Sequence, residues 1–122
     1  HILIAEDNLL NQKVLVRLLA KLGYKDVTIV TQGDLAVEAV RDATQKFDLI
    51  FMDLHMPVMG GIEACKLIRE MNIPYYPQII ACTANGHVDV KAQFTKWGAF
   101  AFIPKPINFK ELTAAIEEYF TL

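Results

Sequence analysis

Several polar residues stand directly behind short apolar runs. Glu6 and Asp7 follow Ile2–Ala5, and Asp53 closes the run that begins at Phe47. Thr83 follows Gln78–Cys82, and Lys105 follows Phe100–Ile103 across Pro104. Three carboxylates brought together repel one another unless a cation is present. Hard oxygen ligands suit Mg²⁺ (or Mn²⁺), and Mg²⁺ is usually bound by one or two carboxylates with waters and phosphate oxygens. A lysine can neutralise a phosphoryl oxygen as a point charge, and a threonine hydroxyl can donate to another. A carboxylate can itself attack phosphorus and form an aspartyl phosphate. Catalysis of that reaction is mostly positioning and charge neutralisation. The set therefore suffices for Mg²⁺-dependent phosphorylation of Asp53, provided one fold brings its members to one edge.

The segments between these residues supply that edge. Ile2–Ala5 is a short apolar strand. A helix follows, with Asp7 or Asn8 as N-cap, a buried face of Val14, Leu15, Leu18, Leu19 and Leu22, and Gly23 as its stop. Val27–Val30 is a β-branched strand, and Gly33-Asp34 opens a helix with Ala36, Val37, Val40 and Ala43 facing in. The third strand ends at Asp53. It is apolar throughout, as a strand buried on both faces should be. Met56–Gly61 is a loop, and Ile62, Ala64, Cys65, Ile68 and Met71 mark the inner face of a third helix.

Gln78–Cys82 forms the fourth strand, with Thr83 at its close, and Asn85-Gly86 is a turn. A fourth helix runs from about His87 to Trp97 and carries the weakest apolar signal. Phe100–Ile103 is the fifth strand, which Pro104 is expected to end early. Asn108 with Glu111 has capping-box spacing and starts a last helix with Leu112, Ala115, Ile116, Tyr119 and Phe120 on its apolar face. Five consecutive strand–helix units imply an α/β fold with a parallel sheet and helices on both faces. The expected strand order is 2-1-3-4-5, doubly wound and flavodoxin-like, with its crevice between strands 1 and 3. All the strand ends named above then share one edge.

Composition excludes several classes. The chain has 122 residues, 53% of them hydrophobic and 21% charged, as expected of one globular domain. A net charge of -2 argues against a nucleic-acid surface, which needs a clustered basic face. No run reaches the roughly 18 apolar residues of a membrane span, and no signal-peptide pattern opens the chain. Cys65 and Cys82 lack metal spacing and read as reduced core residues, which points to the cytoplasm. The start on His1 suggests a single domain, residues 1–122, within a longer protein whose other parts could be membrane-anchored.

The chain resembles the receiver domains of two-component response regulators. The resemblance runs over essentially the whole length. It rests on Ile2-Leu3-Ile4-Ala5-Glu6-Asp7-Asn8, on Met52-Asp53-Leu54-His55-Met56-Pro57-Val58-Met59-Gly60-Gly61, on Thr83-Ala84 and on Lys105-Pro106. It implies that Asp53 is the phosphoacceptor and that Glu6, Asp7, Asp53 and the backbone carbonyl of His55 hold Mg²⁺. Thr83 and Lys105 fall on the family's hydroxyl and lysine, Phe102 on its switch aromatic, and Lys105-Pro106 on a peptide that is commonly cis. The run Glu6–Val14 looks most like receivers of hybrid sensor histidine kinases. That implies a histidine kinase, a histidine phosphotransfer protein or both as partners, and oligomeric state stays open. Gly60 stands where the family often has Asp, and Gly is a weaker helix cap, so a looser loop is expected there.

Plainer readings compete at each position. Asp53 alone could be a turn or capping aspartate, Glu6-Asp7 a helix cap, Lys105 a surface lysine and Phe102 plain core. The joint placement of Asp53, Glu6, Asp7, Thr83 and Lys105 at strand ends favours the chemical reading, and the switch role of Phe102 rests on the resemblance alone. The His55 side chain lacks partner ligands and is expected to face solvent. With Asn85 it flanks the path of attacking water, where both would tune the lifetime of the phosphoryl group. Leu9, Leu10 and Val16 lie partly off the buried helical face and form a candidate docking patch. An aspartyl-phosphate phosphatase would need an acid where His55 stands, and an FMN carrier would not place Glu6-Asp7 beside a phosphate. The receiver of a stand-alone or DNA-binding response regulator is the nearer alternative.

Overall fold

Each apolar run becomes a strand, and a helix follows each one. The computed structural model describes all residues, His1–Leu122. In chain order the elements are β1 (Ile2–Ala5), α1 (Leu9–Lys21), β2 (Val27–Val30), α2 (Gly33–Arg41), β3 (Leu49–Asp53), α3 (Gly61–Glu70), β4 (Gln78–Thr83), α4 (Val88–Lys96), β5 (Ala99–Pro104) and α5 (Phe109–Tyr119). All pairings are parallel, and the order across the sheet is β2-β1-β3-β4-β5. The expected α/β architecture is therefore the observed one. Every residue of β1 and β3 is buried, which is why their sequences read as unbroken apolar runs.

The sheet separates two cores. One packs Leu3, Ile50, Met52, Ile79 and Ala81 against Ala36, Val40, Cys65, Ile68 and Phe94. The other packs Ile4, Phe51, Ile80 and Ile103 against Leu15, Leu19, Leu112 and Ile116. Alternate residues of the central strands serve opposite cores, as the pleat requires. The two faces clamp β3 and hold its C-terminal end in place.

Helix starts follow the expected chemistry where a capping side chain exists. Asn8 accepts the Asn11 N–H at 3.0 Å, and Asn108 accepts the Glu111 N–H at 2.8 Å. Three expectations need correction. β5 does not end early, because Pro104 still pairs with Thr83. β5 is an edge strand, where a residue without an N–H is tolerated, and the Lys105 N–H continues the pairing to the Thr83 carbonyl at 3.2 Å. Phe120 lies past the end of α5 and is exposed. The loop before α3 lacks a side-chain cap, as Gly60 implies. It is nevertheless fastened, with the Gly61 N–H on the Leu54 carbonyl and the Gly33 N–H on the Met59 carbonyl, each at 2.9 Å.

Candidate functional site

β1, β3, β4 and β5 deliver their terminal residues to one edge. Asp53 is register partner to Cys82, and Thr83 to Pro104. Glu6, Asp7 and Asp53 each place a carboxylate oxygen within 4.8 Å of the others. Lys105 Nζ lies between two of them, 2.5 Å from Glu6 Oε1 and 2.9 Å from Asp53 Oδ2. Glu6 and Asp53 are buried, Lys105 is half-buried and Asp7 is exposed. Burial works against the Lys105 charge, but hydrogen bonds and attraction from Glu6 and Asp53 outweigh it. The ammonium is held above its ordinary pKa.

The backbone fixes the rest. Asp53 Oδ1 accepts the Leu54 N–H at 2.8 Å, and Glu6 Oε2 accepts the Asn8 N–H at 3.1 Å. Each buried carboxylate thus has one oxygen on Lys105 and the other on the main chain. Thr83 Oγ1 accepts the Asn85 N–H at 3.0 Å, and Asn85 Oδ1 accepts the His87 N–H at 3.0 Å. A cleft of about 730 Å³ opens beside the cluster, lined by Asp53, His55, Thr83, Asn85, His87 and Lys105 among others. The His55 side chain is exposed, and its carbonyl accepts no hydrogen bond from the chain. The Lys105-Pro106 peptide is cis.

The donor set fits a hard divalent cation. It is all oxygen and anionic, and its members come from two strand ends already close together. Asp7 makes no hydrogen bond within the chain and so keeps its lone pairs. The thiols do not compete for this role. Burial, with Asp53 nearby, pushes the Cys82 thiol up, and burial pushes Cys65 up to about 12. Both stay protonated and inert.

The structure thus brings Glu6, Asp7, Asp53, His55, Thr83, Asn85 and Lys105 together. Phe102 lies outside this group. It is half-buried on β5, edge-on to Phe94 at 6.4 Å, with Lys91 Nζ 5.7 Å from its ring. Leu9 and Leu10 sit at the start of α1 beside the acidic pair, 62% and 69% exposed. Two residues escape the sequence reading. His87 lines the cleft through its spacing from Asn85, which no periodicity reveals. Gln12 is a buried polar side chain in α1, and its amide donates to the Glu6 carbonyl at 2.7 Å. Its one signal in sequence is a polar residue one turn before Val16, at a position that would otherwise be apolar.

A family model for the response regulator receiver domain matches residues 2–117. The chain belongs to the response regulator receiver family. It is 38% identical over 120 residues to hybrid signal transduction histidine kinase I of Dictyostelium discoideum, across 94% of this chain but 7% of that protein. It is 34% identical to two-component response regulator 24 of Arabidopsis thaliana, across 95% of this chain and 81% of that protein. Among solved structures it matches the receiver domain of the sensor histidine kinase PA1611 from Pseudomonas aeruginosa PAO1, which holds a magnesium ion in its active-site cleft. That match has a TM-score of 0.85 and 33% identity, covering 99% of this chain and 97% of the other. This receiver thus spans a small fraction of its hybrid-kinase relatives. No helix in it is long and apolar enough to cross a membrane.

Proposed function

We propose that this receiver accepts a phosphoryl group on Asp53 from a phosphohistidine, in a reaction that needs Mg²⁺ or Mn²⁺. The observation that carries the reading is the cluster of Glu6, Asp7 and Asp53 with Lys105 set between two of its members. Glu6, Asp7, Asp53 and the His55 carbonyl would hold the cation. A cation held there would neutralise phosphoryl oxygens and offset the repulsion among the carboxylates. In the transfer an Asp53 oxygen forms a bond to phosphorus as the donor's nitrogen–phosphorus bond breaks, and the donor ring, already protonated on its other nitrogen, leaves as neutral imidazole. Lys105 is within reach of the new phosphoryl oxygens, and Thr83 can donate its hydroxyl proton to one of them. His55 and Asn85 flank the cleft through which water returns.

The partner would be a histidine kinase, a histidine phosphotransfer protein or both, docking over Leu9 and Leu10. The likeness to hybrid kinases supports a relay role within a larger signalling protein. The likeness to a plant response regulator, most of whose length is matched, supports a stand-alone switch as the second reading. Phosphorylation would then report through α4, β5 and Phe102.

The test is mass. Incubation with Mg²⁺ and a small acyl phosphate should add one phosphoryl group, a chelator should prevent it, and Asp53→Asn should abolish it. No mass gain in the unmodified protein refutes the reading. Docking is tested separately: if Leu9→Ala with Leu10→Ala leaves transfer from a phosphotransfer protein at its original rate, the patch is wrong.

A further inference from the structure

Glu6 is tied down at every polar atom. Its N–H donates to the Val30 carbonyl at 3.0 Å, its carboxylate binds Asn8 and Lys105, and its carbonyl takes the Gln12 amide. Asp7, the next residue, has no hydrogen bond of its own at the carboxylate. The backbone therefore sets the region that the Asp7 carboxylate can reach. The Glu6 carbonyl belongs to the peptide that joins Glu6 to Asp7, so one hydrogen bond to that oxygen orients the plane from which Asp7 hangs.

Gln12 makes that bond from a fixed position. It is the fourth residue of α1, whose first turn is closed by Asn8, and its own N–H donates to the Asn8 carbonyl at 3.0 Å. Helical side chains lean toward the helix N-terminus, so a long side chain at this position reaches the segment before the cap. An apolar pair often bridges these positions and fixes how the chain enters the helix. Here a polar contact does so. At 9% exposure Gln12 has little water to turn to, and a buried amide without a partner is costly.

We propose that Gln12 is a positioning residue for the acidic cluster, and that its amide, by holding the Glu6–Asp7 peptide, sets the affinity of the site for a divalent cation. The inference rests on the reading that this cluster takes Mg²⁺. Groups that orient metal ligands typically change metal affinity by about tenfold or more when removed.

The experiment is a calorimetric titration of the unphosphorylated protein with Mg²⁺, with hydrogen exchange of residues 6–9 as a second readout. Gln12→Met keeps the length and loses the donor, whereas Gln12→Lys keeps a donor. The expected result is about tenfold weaker Mg²⁺ binding in Gln12→Met, faster exchange at residues 6–9, and recovery of most of the affinity in Gln12→Lys. Unchanged affinity in Gln12→Met, even with a lowered Tm, would make Gln12 a packing residue and overturn the proposal. Equal losses in both variants would overturn it too, since the donor would then not be the means. An unmodified protein that binds no Mg²⁺ refutes the metal reading itself, and this proposal with it; that result is distinct from a variant-specific one.

Discussion

Lys105→Met tests the electrostatic balance of the site most directly. In the resting protein one ammonium serves two buried carboxylates, at 2.5 Å and 2.9 Å. Removing it leaves Glu6 and Asp53 facing each other with oxygens no more than 4.8 Å apart. At an effective dielectric of about 20, two unit charges at that separation repel by roughly 3 kcal/mol. Loss of one partner from a buried ion pair costs about 3–5 kcal/mol, and an exposed pair is worth about 0–1. The side-chain exposures of 16% for Lys105 and 6% for Glu6 place this pair near the buried limit. A loss of about 3 kcal/mol is expected in chelator. Mg²⁺ should narrow the gap, because in the unmodified protein it would share Glu6 and Asp53 with Lys105, whereas in the variant it would meet carboxylates that have no other cation. In saturating Mg²⁺ the gap closes by RT ln of the ratio of the two dissociation constants, so binding a hundredfold tighter in the variant would return about 2.7 kcal/mol, most of the deficit. Urea denaturation followed by the single tryptophan, Trp97, measures both arms. A deficit below about 1 kcal/mol in chelator, or a gap indifferent to Mg²⁺, would refute this account of the site.

Other outcomes follow from the same contacts. The Lys105 pKa is raised in the folded state above its ordinary 10.5, so its contribution is complete below that pH and is lost as pH rises through the folded value. The stability difference between the unmodified protein and Lys105→Met should therefore shrink in strong alkali and stay flat from pH 7 to 9. Gly61→Ala should cost about 2 kcal/mol or more, although Ala gains about 1 kcal/mol over Gly within a helix. A Cβ there collides with the Asp53 carbonyl oxygen and lies 2.9 Å from its carbon, both backbone atoms that cannot yield; a stabilised variant would contradict this. Val58 has φ +68 in a three-residue turn closed by the Met59 N–H on the Pro57 carbonyl, and it is 79% exposed. Val58→Gly should stabilise by about 1 kcal/mol, the left-handed strain exceeding the entropy that glycine costs, and a lower denaturation midpoint would count against it. Asn85→Asp keeps an acceptor for His87 and adds charge to the cleft, so the aspartyl phosphate should change its half-life; an identical decay curve would remove Asn85 from that role.

The sheet was legible because burial on both faces writes itself as unbroken apolar runs, and β1 and β3 are the clearest cases. Asp53, Glu6, Asp7, Thr83 and Lys105 were legible because a parallel sheet turns sequence position at a strand end into proximity. What sequence misreads has local causes. Pro104 reads as a stop because proline lacks an N–H, but an edge strand has a side that needs no donor. Gly60 reads as a loose point because it offers no cap, but the loop is tied by main-chain bonds from Gly61 and Gly33, where a Cβ would collide with backbone oxygens. Gln12 is hard to read from sequence because a buried polar residue inside an apolar stripe is identified only by its partner, and that partner is a carbonyl.

How a phosphoryl group on Asp53 would be felt elsewhere follows from a short chain of bonds. The Thr83 hydroxyl can accept the Asn85 N–H and still donate its own proton. Thr83 could thus turn toward Asp53 without releasing Asn85, and would draw it along. Asn85 in turn holds the His87 N–H, and His87 is the residue before α4, its carbonyl accepting the Lys91 N–H at 3.1 Å. α4 is the helix least committed to the core: Phe94 is its one fully buried residue, and Val88 is 80% exposed. Weak packing lets an element move at small cost, so the feature that made α4 faint in sequence also makes it the element that can respond. Two of its side chains meet the Phe102 ring, Phe94 edge-on and Lys91 over its face, and these would carry a shift of α4 to Phe102. The aromatic could then report phosphorylation from outside the cleft, which is where the structure places it.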